Sequence, residues 1–305
     1  MDEATDHGYT RAVGVAVSHG INFIDTSLNY RNQRSERAIG TALKELFARG
    51  VSREELVVCT KAGYLVPDAV PHGVLRPGDV VARMHSMAPA FLEDQLNRSL
   101  ANLGLDAIDV FYLHNPETQL GHVDENEFYR RACDAFAYME GAVSQGKIGW
   151  YGTATWSGYR EADALSLERL CDAAVRAGGS GHHFRFVQVP YNLAMTEAYS
   201  ACTQNVNGTA APLLDAAAQF GITVVASASL LQSRLARGLP EAFTGRMGPA
   251  KTDAQRAIQF ARSAPGLTVA LAGMSKEEHV IENTGVTGFR PLDRGEYAAL
   301  LGPRP

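Results

Sequence analysis

Four ionisable side chains stand at or just past the ends of three apolar runs. FIDTSLNY (23–30) carries Asp25 and Tyr30, VVCTKAGY (57–64) carries Lys61, and FYLHNPE (111–117) carries His114. Together these types suit proton transfer to a carbonyl oxygen. A phenol with an ordinary pKa near ~10 is a poor acid at neutral pH, and a neighbouring ammonium favours its phenolate. Lys61 supplies that charge. A carboxylate at Asp25 keeps the lysine protonated and pointed, and the imidazole of His114 orients or polarises a substrate carbonyl beside Tyr30. Each residue also has a purely structural reading. Asp25 caps a turn, Tyr30 is a half-buried loop aromatic, Lys61 snorkels outward and His114 is a hydrogen-bonded core histidine.

For the four to meet, the three runs must be neighbouring parallel strands. Short β-branched and apolar runs do recur along the chain: 21–25, 56–61, 107–114, 149–154, 184–189, 222–227 and 267–273. Between them lie stretches of helical period such as SERAIGTALKELFARG, FLEDQLNRSLANLG, FYRRACDAFAYMEGAVSQG, DAQRAIQFARSAPG and KEEHVIENTG, several closing on Gly. This α/β alternation calls for a parallel sheet with right-handed crossovers, doubly wound or closed as a barrel. No GxGxxG or Walker motif follows any strand, which weighs against the doubly wound form. Two longer insertions, 62–90 and about 115–124, follow strand ends, where the loops of an α/β barrel carry its catalytic face. No Pro/Gly/Ser-rich linker divides residues 1–305, so a single domain is expected. The first predicted element, about 5–19, is a helix that precedes any strand. With seven strands counted, a (β/α)8 barrel would be incomplete, or the chain starts downstream of a strand that relatives carry.

The 305 residues are 46% hydrophobic and 20% charged, with net charge −5 and a pI near 6.0. That is a globular composition with no Lys/Arg run to track phosphates, so neither nucleic acid nor a membrane surface is an expected partner. The start, MDEATDHGYT, is acidic where a signal peptide is basic, and no segment nears the ~18 apolar residues of a spanning helix. A cytoplasmic protein of open oligomeric state is expected, acting on a small-molecule carbonyl or alcohol. Cys59, Cys133, Cys171 and Cys202 form no CxxC and read as reduced, mostly buried thiols. His182 and His183 are adjacent, would face opposite sides of a strand, and read as a surface loop, so no metal is expected. MHSMAPAF (84–91) lines a substrate pocket or covers the barrel.

FIDTSLNY, VVCTKAGY and FYLHNPE resemble the three motifs that deliver the Asp, Tyr, Lys and His tetrad of the aldo-keto reductases. SERAIGTAL, NRSLANLGLDAIDVFYLH, GKIGWYGTATW, FVQVPYN, GITVVASASLL and VALAGMSKEEHVIEN resemble that family in order over nearly the whole chain. The resemblance implies a (β/α)8 TIM barrel with its first strand missing from the N-terminus, binding NADP(H) without a Rossmann unit. It implies an NADPH-dependent oxidoreductase that reduces an aldehyde, ketone or sugar-type carbonyl by hydride transfer. In this reading Tyr30 is the proton donor, with Asp25, Lys61 and His114 completing the tetrad. Gln188 matches the glutamine beneath the nicotinamide carboxamide. The usual Ser-Asn pair reads Ala154 and Thr155, of which Thr155 keeps a hydroxyl for the carboxamide. Ser227 stands where the family commonly stacks an aromatic ring on the nicotinamide, and Trp156 is a pocket wall or plain packing. Ser275 and Lys276 suit the adenosine 2′-phosphate at a helix start, and His279, Glu282 and Asn283 match positions on the adenine ribose side. Lys276 favours NADPH over NADH. YGTATWS is similar to a segment of the potassium-channel β-subunits, which use this fold attached to a membrane partner. A cofactor-binding regulatory subunit or a decayed reductase therefore stands as the alternative, and His114, which those subunits replace, favours the enzyme.

Overall fold

The computed structural model describes residues 2–301 apart from 68, 71 and 163. The chain falls into two compact units. The first comprises Met1–Ala154, Arg169–Phe186 and Ser275–Glu277, and the second Thr155–Glu168, Val187–Met274 and Glu278–Pro305. The insertion expected over 62–90 includes 68 and 71, which lie outside the described residues.

The first unit opens on helix α1 (Glu3–Ser18), whose start is capped by the Asp2 carboxylate accepting from the Thr5 N–H at 2.8 Å. Strand and helix then alternate: β1 (Phe23–Asp25), α2 (Arg34–Ala48), β2 (Val57–Ala62), α3 (Pro89–Leu103), β3 (Ile108–His114), α4 (Glu125–Ser144), β4 (Ile148–Ala154) and α5 (Leu167–Gly178). The N-terminal half of β5 (Phe184–Pro190) completes it. Neighbouring strands are parallel and hydrogen-bonded in chain order. On α2, Ile39, Ala42, Leu43 and Leu46 recur at helical spacing and bury one face. Pro89 opens α3, and Gly104, at φ 66°, closes it in the left-handed conformation that an L side chain rarely adopts.

The strand register matters most for function. Asp25 pairs with Cys59, Lys61 with Tyr112, and His114 with Ala154. Side chains alternate faces with period two, so Asp25, Cys59 and Lys61 share one face with Tyr112 and His114. The same face packs Cys59, Val110, Tyr112 and Ala154 into one apolar cluster below the polar groups. The three charged or titratable strand residues therefore emerge together at the C-terminal ends of β1, β2 and β3.

The second unit holds the C-terminal half of β5, then α6 (Leu213–Gln219), β6 (Thr223–Ser227), α7 (Asp253–Arg262) and β7 (Leu267–Ala270). Helices α8 (Glu277–Thr284) and α9 (Arg294–Leu301) follow. Its core contains Tyr191 stacked on Phe260, ring centroids 5.8 Å apart, with the Tyr191 and Tyr297 hydroxyls 2.6 Å from each other. Among the described residues no helix is long and apolar enough to cross a membrane, and no three His, Cys, Asp or Glu side chains cluster as metal ligands do. His183 is instead paired with Glu140, Nδ1 to Oε2 at 2.8 Å. All four cysteines are free; Cys59 and Cys171 are buried, Cys133 is half-buried and Cys202 is exposed.

Candidate active site

Tyr30 sits in the turn between β1 and α2. The turn is tight: Tyr30 N–H donates to Ser27 O at 3.0 Å and Gln33 N–H to Leu28 O at 2.9 Å. Arg31, Asn32 and Gln33 follow in succession at φ 52°, 52° and 69°. Three left-handed residues in a row are sparsely populated and need external support. Helix α1 supplies it. The Asp6 carboxylate bridges Arg31, at 2.7 Å, and Arg34, and Arg34 first and Arg31 after it hold that carboxyl below its usual range.

Lys61 is fully buried. Its Nζ donates to Asp25 Oδ2 at 2.5 Å and to the Thr26 carbonyl at 2.8 Å, and lies 5.1 Å from the centre of the Tyr30 ring. Burial alone pushes a lysine toward the neutral form, but Asp25 and Tyr30 outweigh it and the net displacement is upward. The ammonium is kept charged where no water can reach it.

His114 is neutral. Burial, then the Lys61 charge, then His85, drive its pKa well below the ordinary value. The ring stands edge-on to Tyr30, centroids 5.8 Å apart, and edge-on to Tyr64 at 5.1 Å. Its Nδ1 lies 3.1 Å from Ser27 Oγ. Its backbone carbonyl accepts from His85 Nε2 at 2.8 Å, and His85 Nδ1 in turn meets the Gln119 amide nitrogen at 3.0 Å. Gly63 passes directly beneath, and a Cβ there would lie 2.5 Å from the His114 oxygen and 2.8 Å from His85 Nε2. The structure thus brings Asp25, Tyr30, Lys61 and His114 into one constellation. It can present a phenol beside a fixed ammonium and an uncharged imidazole.

The Aldo/keto reductase family profile matches residues 3–246. The chain belongs to that family. This aldo/keto reductase family member is 28% identical over 203 residues to D-threo-aldose 1-dehydrogenase of Pseudomonas sp, covering 63% of this chain and 55% of that protein. It is 26% identical over 291 residues to the "Probable voltage-gated potassium channel subunit beta" of Oryza sativa subsp. japonica, covering 90% and 80%. The chain spans 34%, 55% and 37% of the length of the first three curated relatives it matches, less than two thirds of each. Among solved structures, an aldo/keto reductase from Klebsiella pneumoniae in complex with NADP and acetate superposes with a TM-score of 0.69 at 23% identity, covering 100% of this chain and 88% of that one. The fold is therefore the family's (β/α)8 barrel class, to which the seven parallel strands and their alternating helices correspond.

The expected cofactor residues of this family member divide between the units. Thr155 and Gln188 come together in the second, where Thr155 N–H donates to the Gln188 carbonyl at 2.9 Å and both are buried. His279, Glu282 and Asn283 lie on α8 in the same unit. His279 is exposed, whereas Asn283 is buried with an Oδ1 that has no protein partner among the described residues. A buried amide oxygen without a donor fits a ligand that brings an N–H or O–H to it. Ser275 and Lys276 belong with the first unit, Lys276 exposed just before α8. Trp156 is 45% exposed, and Ser227 closes β6 with its carbonyl accepting from the Tyr191 N–H.

Several residues around the tetrad of this family member have no counterpart in the sequence-based expectations. Glu36 is wholly buried, accepting from Thr60 at 2.6 Å, Ser99 at 2.7 Å and Asn102 at 2.9 Å. Burial pushes its carboxyl up, and those hydrogen bonds together with Lys61 offset only part of that. Ser27, Tyr64 and His85 are likewise new. MHSMAPAF offered the only hint of His85, which proves to brace the His114 backbone.

Proposed function

We propose that the chain is an NADPH-dependent oxidoreductase that reduces an aldehyde, ketone or sugar-type carbonyl, with Tyr30 as proton donor. The observation that carries this reading is the buried Lys61 ammonium, held by Asp25 at 2.5 Å and set 5.1 Å from the Tyr30 ring. As negative charge develops on the carbonyl oxygen, Tyr30 gives up its O–H proton, and the electron pair of that bond stays on the phenolate. Lys61 stabilises that phenolate. At an effective dielectric of ~20, opposite charges ~5 Å apart attract by roughly 3 kcal/mol, and Asp25 keeps the lysine from losing its proton instead. Neutral His114 orients the substrate beside Tyr30.

A nicotinamide cofactor, when bound, supplies the hydride. Thr155 and Gln188 would hold its carboxamide end. Ser275 and Lys276 would hold the 2′-phosphate, and His279, Glu282 and Asn283 the adenine ribose side. NADP in the Klebsiella structure supports the cofactor class of this reading, and the Pseudomonas aldose dehydrogenase supports its sugar-type substrate. The test is to mix pure protein with NADPH and a panel of small carbonyls. Consumption of NADPH by wild type and its loss in Tyr30→Phe support the reading. No consumption, or an equally fast variant, defeats it.

Similarity to the rice channel subunit over 80% of its length favours a second reading, a cofactor-binding regulatory subunit with little turnover. Stoichiometric recovery of a partner protein together with tight NADPH binding and no reduction would establish that one instead.

A further inference from the structure

We infer that Arg11, on helix α1, is a direct ligand of the cofactor's 2′-phosphate and so a determinant of the choice of NADPH over NADH. The inference rests on the cofactor half of the proposed function. Arg11 and the Ser275–Glu277 segment both belong to the first unit.

Without Arg11 the charge around the expected phosphate position has the wrong sign. Lys276 is followed directly by Glu277 and Glu278, so this stretch sets one cation against two carboxylates. A phosphate monoester carries roughly −1.5 to −2 at neutral pH, and on balance that stretch repels it. The structure brings in a second cation from 266 positions away, with Arg11 Nε donating to Glu277 Oε1 at 2.8 Å. The carboxylate next to Lys276 is thereby offset.

The helix itself sets this placement. Gly8 lies three residues before Arg11 on the same face, and a Cβ there would lie 2.9 Å from the Ser275 carbonyl oxygen, so the α1 backbone rests directly against the segment. Glu277 engages Arg11 through Nε alone, and Nη1 and Nη2 have no hydrogen-bond partner among the described residues. Those two nitrogens form the edge of the guanidinium whose parallel N–H groups match a pair of phosphate oxygens. The Arg11 and Glu277 side chains are 63% and 47% exposed, and an ion pair so open adds little to stability. It does hold the fork beside Ser275 and Lys276, which reduces the entropy lost when an anion docks.

The experiment is a fluorescence titration of the full chain with NADPH and, separately, with NADH, without any carbonyl substrate. Arg11→Ala should weaken NADPH binding about tenfold or more and leave NADH within about twofold, and Arg11→Lys should recover part of the loss. Unchanged NADH affinity also shows that the variant is folded. Glu277→Gln separates direct contact from mere masking of the carboxylate. If the guanidinium touches the phosphate, Arg11→Ala still weakens NADPH several-fold in the Glu277→Gln background. If Arg11→Ala costs nothing in that background, Arg11 only masks Glu277 and the inference is overturned. An equal fall for both cofactors, or NADPH binding untouched by Arg11→Ala, overturns it as well and leaves the cofactor reading standing. A wild type that binds neither cofactor overturns that reading and the inference together.

Discussion

Part of the acid destabilisation of this protein should come from His85. The ring is 0% exposed, and both nitrogens are committed: Nε2–H donates to the His114 carbonyl at 2.8 Å, and Nδ1 accepts from the Gln119 amide at 3.0 Å. The Gln119 amide cannot turn to relieve a proton on Nδ1, because its oxygen accepts from Arg131 at 2.9 Å. Burial lowers the His85 pKa from 6.5 to about 4, the hydrogen bond to His114 opposing it weakly. Above pH 6.5 both folded and unfolded forms are neutral, and this group adds no pH dependence. Between 6.5 and about 4 the unfolded chain binds the proton and the folded chain does not, so stability falls as pH falls. Below about 4 both forms are protonated and the loss levels off. At ~1.4 kcal/mol per pH unit across that window, the full loss is about 3 kcal/mol. His85→Gln keeps a donor and an acceptor in similar places but cannot titrate. Urea unfolding of both proteins from pH 7.5 to 4 should show wild type losing about 3 kcal/mol relative to the variant. Parallel pH profiles, or a wild type that gains on the variant in acid, would refute the reasoning.

Three other substitutions probe the site's supports. Lys61→Met takes the ammonium away from the nearly buried Asp25 carboxylate, which should cost ~3–5 kcal/mol in unfolding free energy and about a hundredfold in the rate of carbonyl reduction; Lys61→Arg should recover part of the stability. Gly63→Ala places a Cβ 2.5 Å from the His114 oxygen and should destabilise by roughly 1–3 kcal/mol while slowing reduction, measured by denaturation midpoint and kcat. Lys276→Ala should weaken NADPH binding about tenfold in a fluorescence titration and leave NADH nearly untouched, since only the 2′-phosphate distinguishes them.

The strand ends were legible because residue type changes abruptly there. Apolar β-branched runs end in Asp25, Lys61 and His114, and only a parallel arrangement places three such ends together. The register confirms that arrangement, and the Lys61 to Asp25 contact follows from it. Helices α2, α3, α4 and α7 were legible from their apolar spacing. Helix α6 is only seven residues long and alanine-rich, so it presents too few turns to show a period. The supporting groups were hidden for a different reason. Ser27 reaches His114 across 87 positions, and Glu36 reaches Ser99 across 63. His85 is held by a backbone carbonyl, an acceptor every residue owns and no sequence pattern marks. The left-handed run at Arg31, Asn32 and Gln33 was equally silent, since those residue types occur in any loop. Its structural support comes from Asp6, on a helix that the catalytic motifs never mention.

The central claim, that Tyr30 beside Lys61 protonates a carbonyl as NADPH delivers hydride, is tested most directly by NADPH oxidation with the panel of small carbonyls. Wild type and Tyr30→Phe are compared after cofactor titration has shown that both bind NADPH equally. Turnover by wild type and a fall of about a thousandfold in Tyr30→Phe, with NADPH affinity unchanged, is the predicted result. Equal turnover by both proteins, or none by a wild type that binds NADPH, would contradict it.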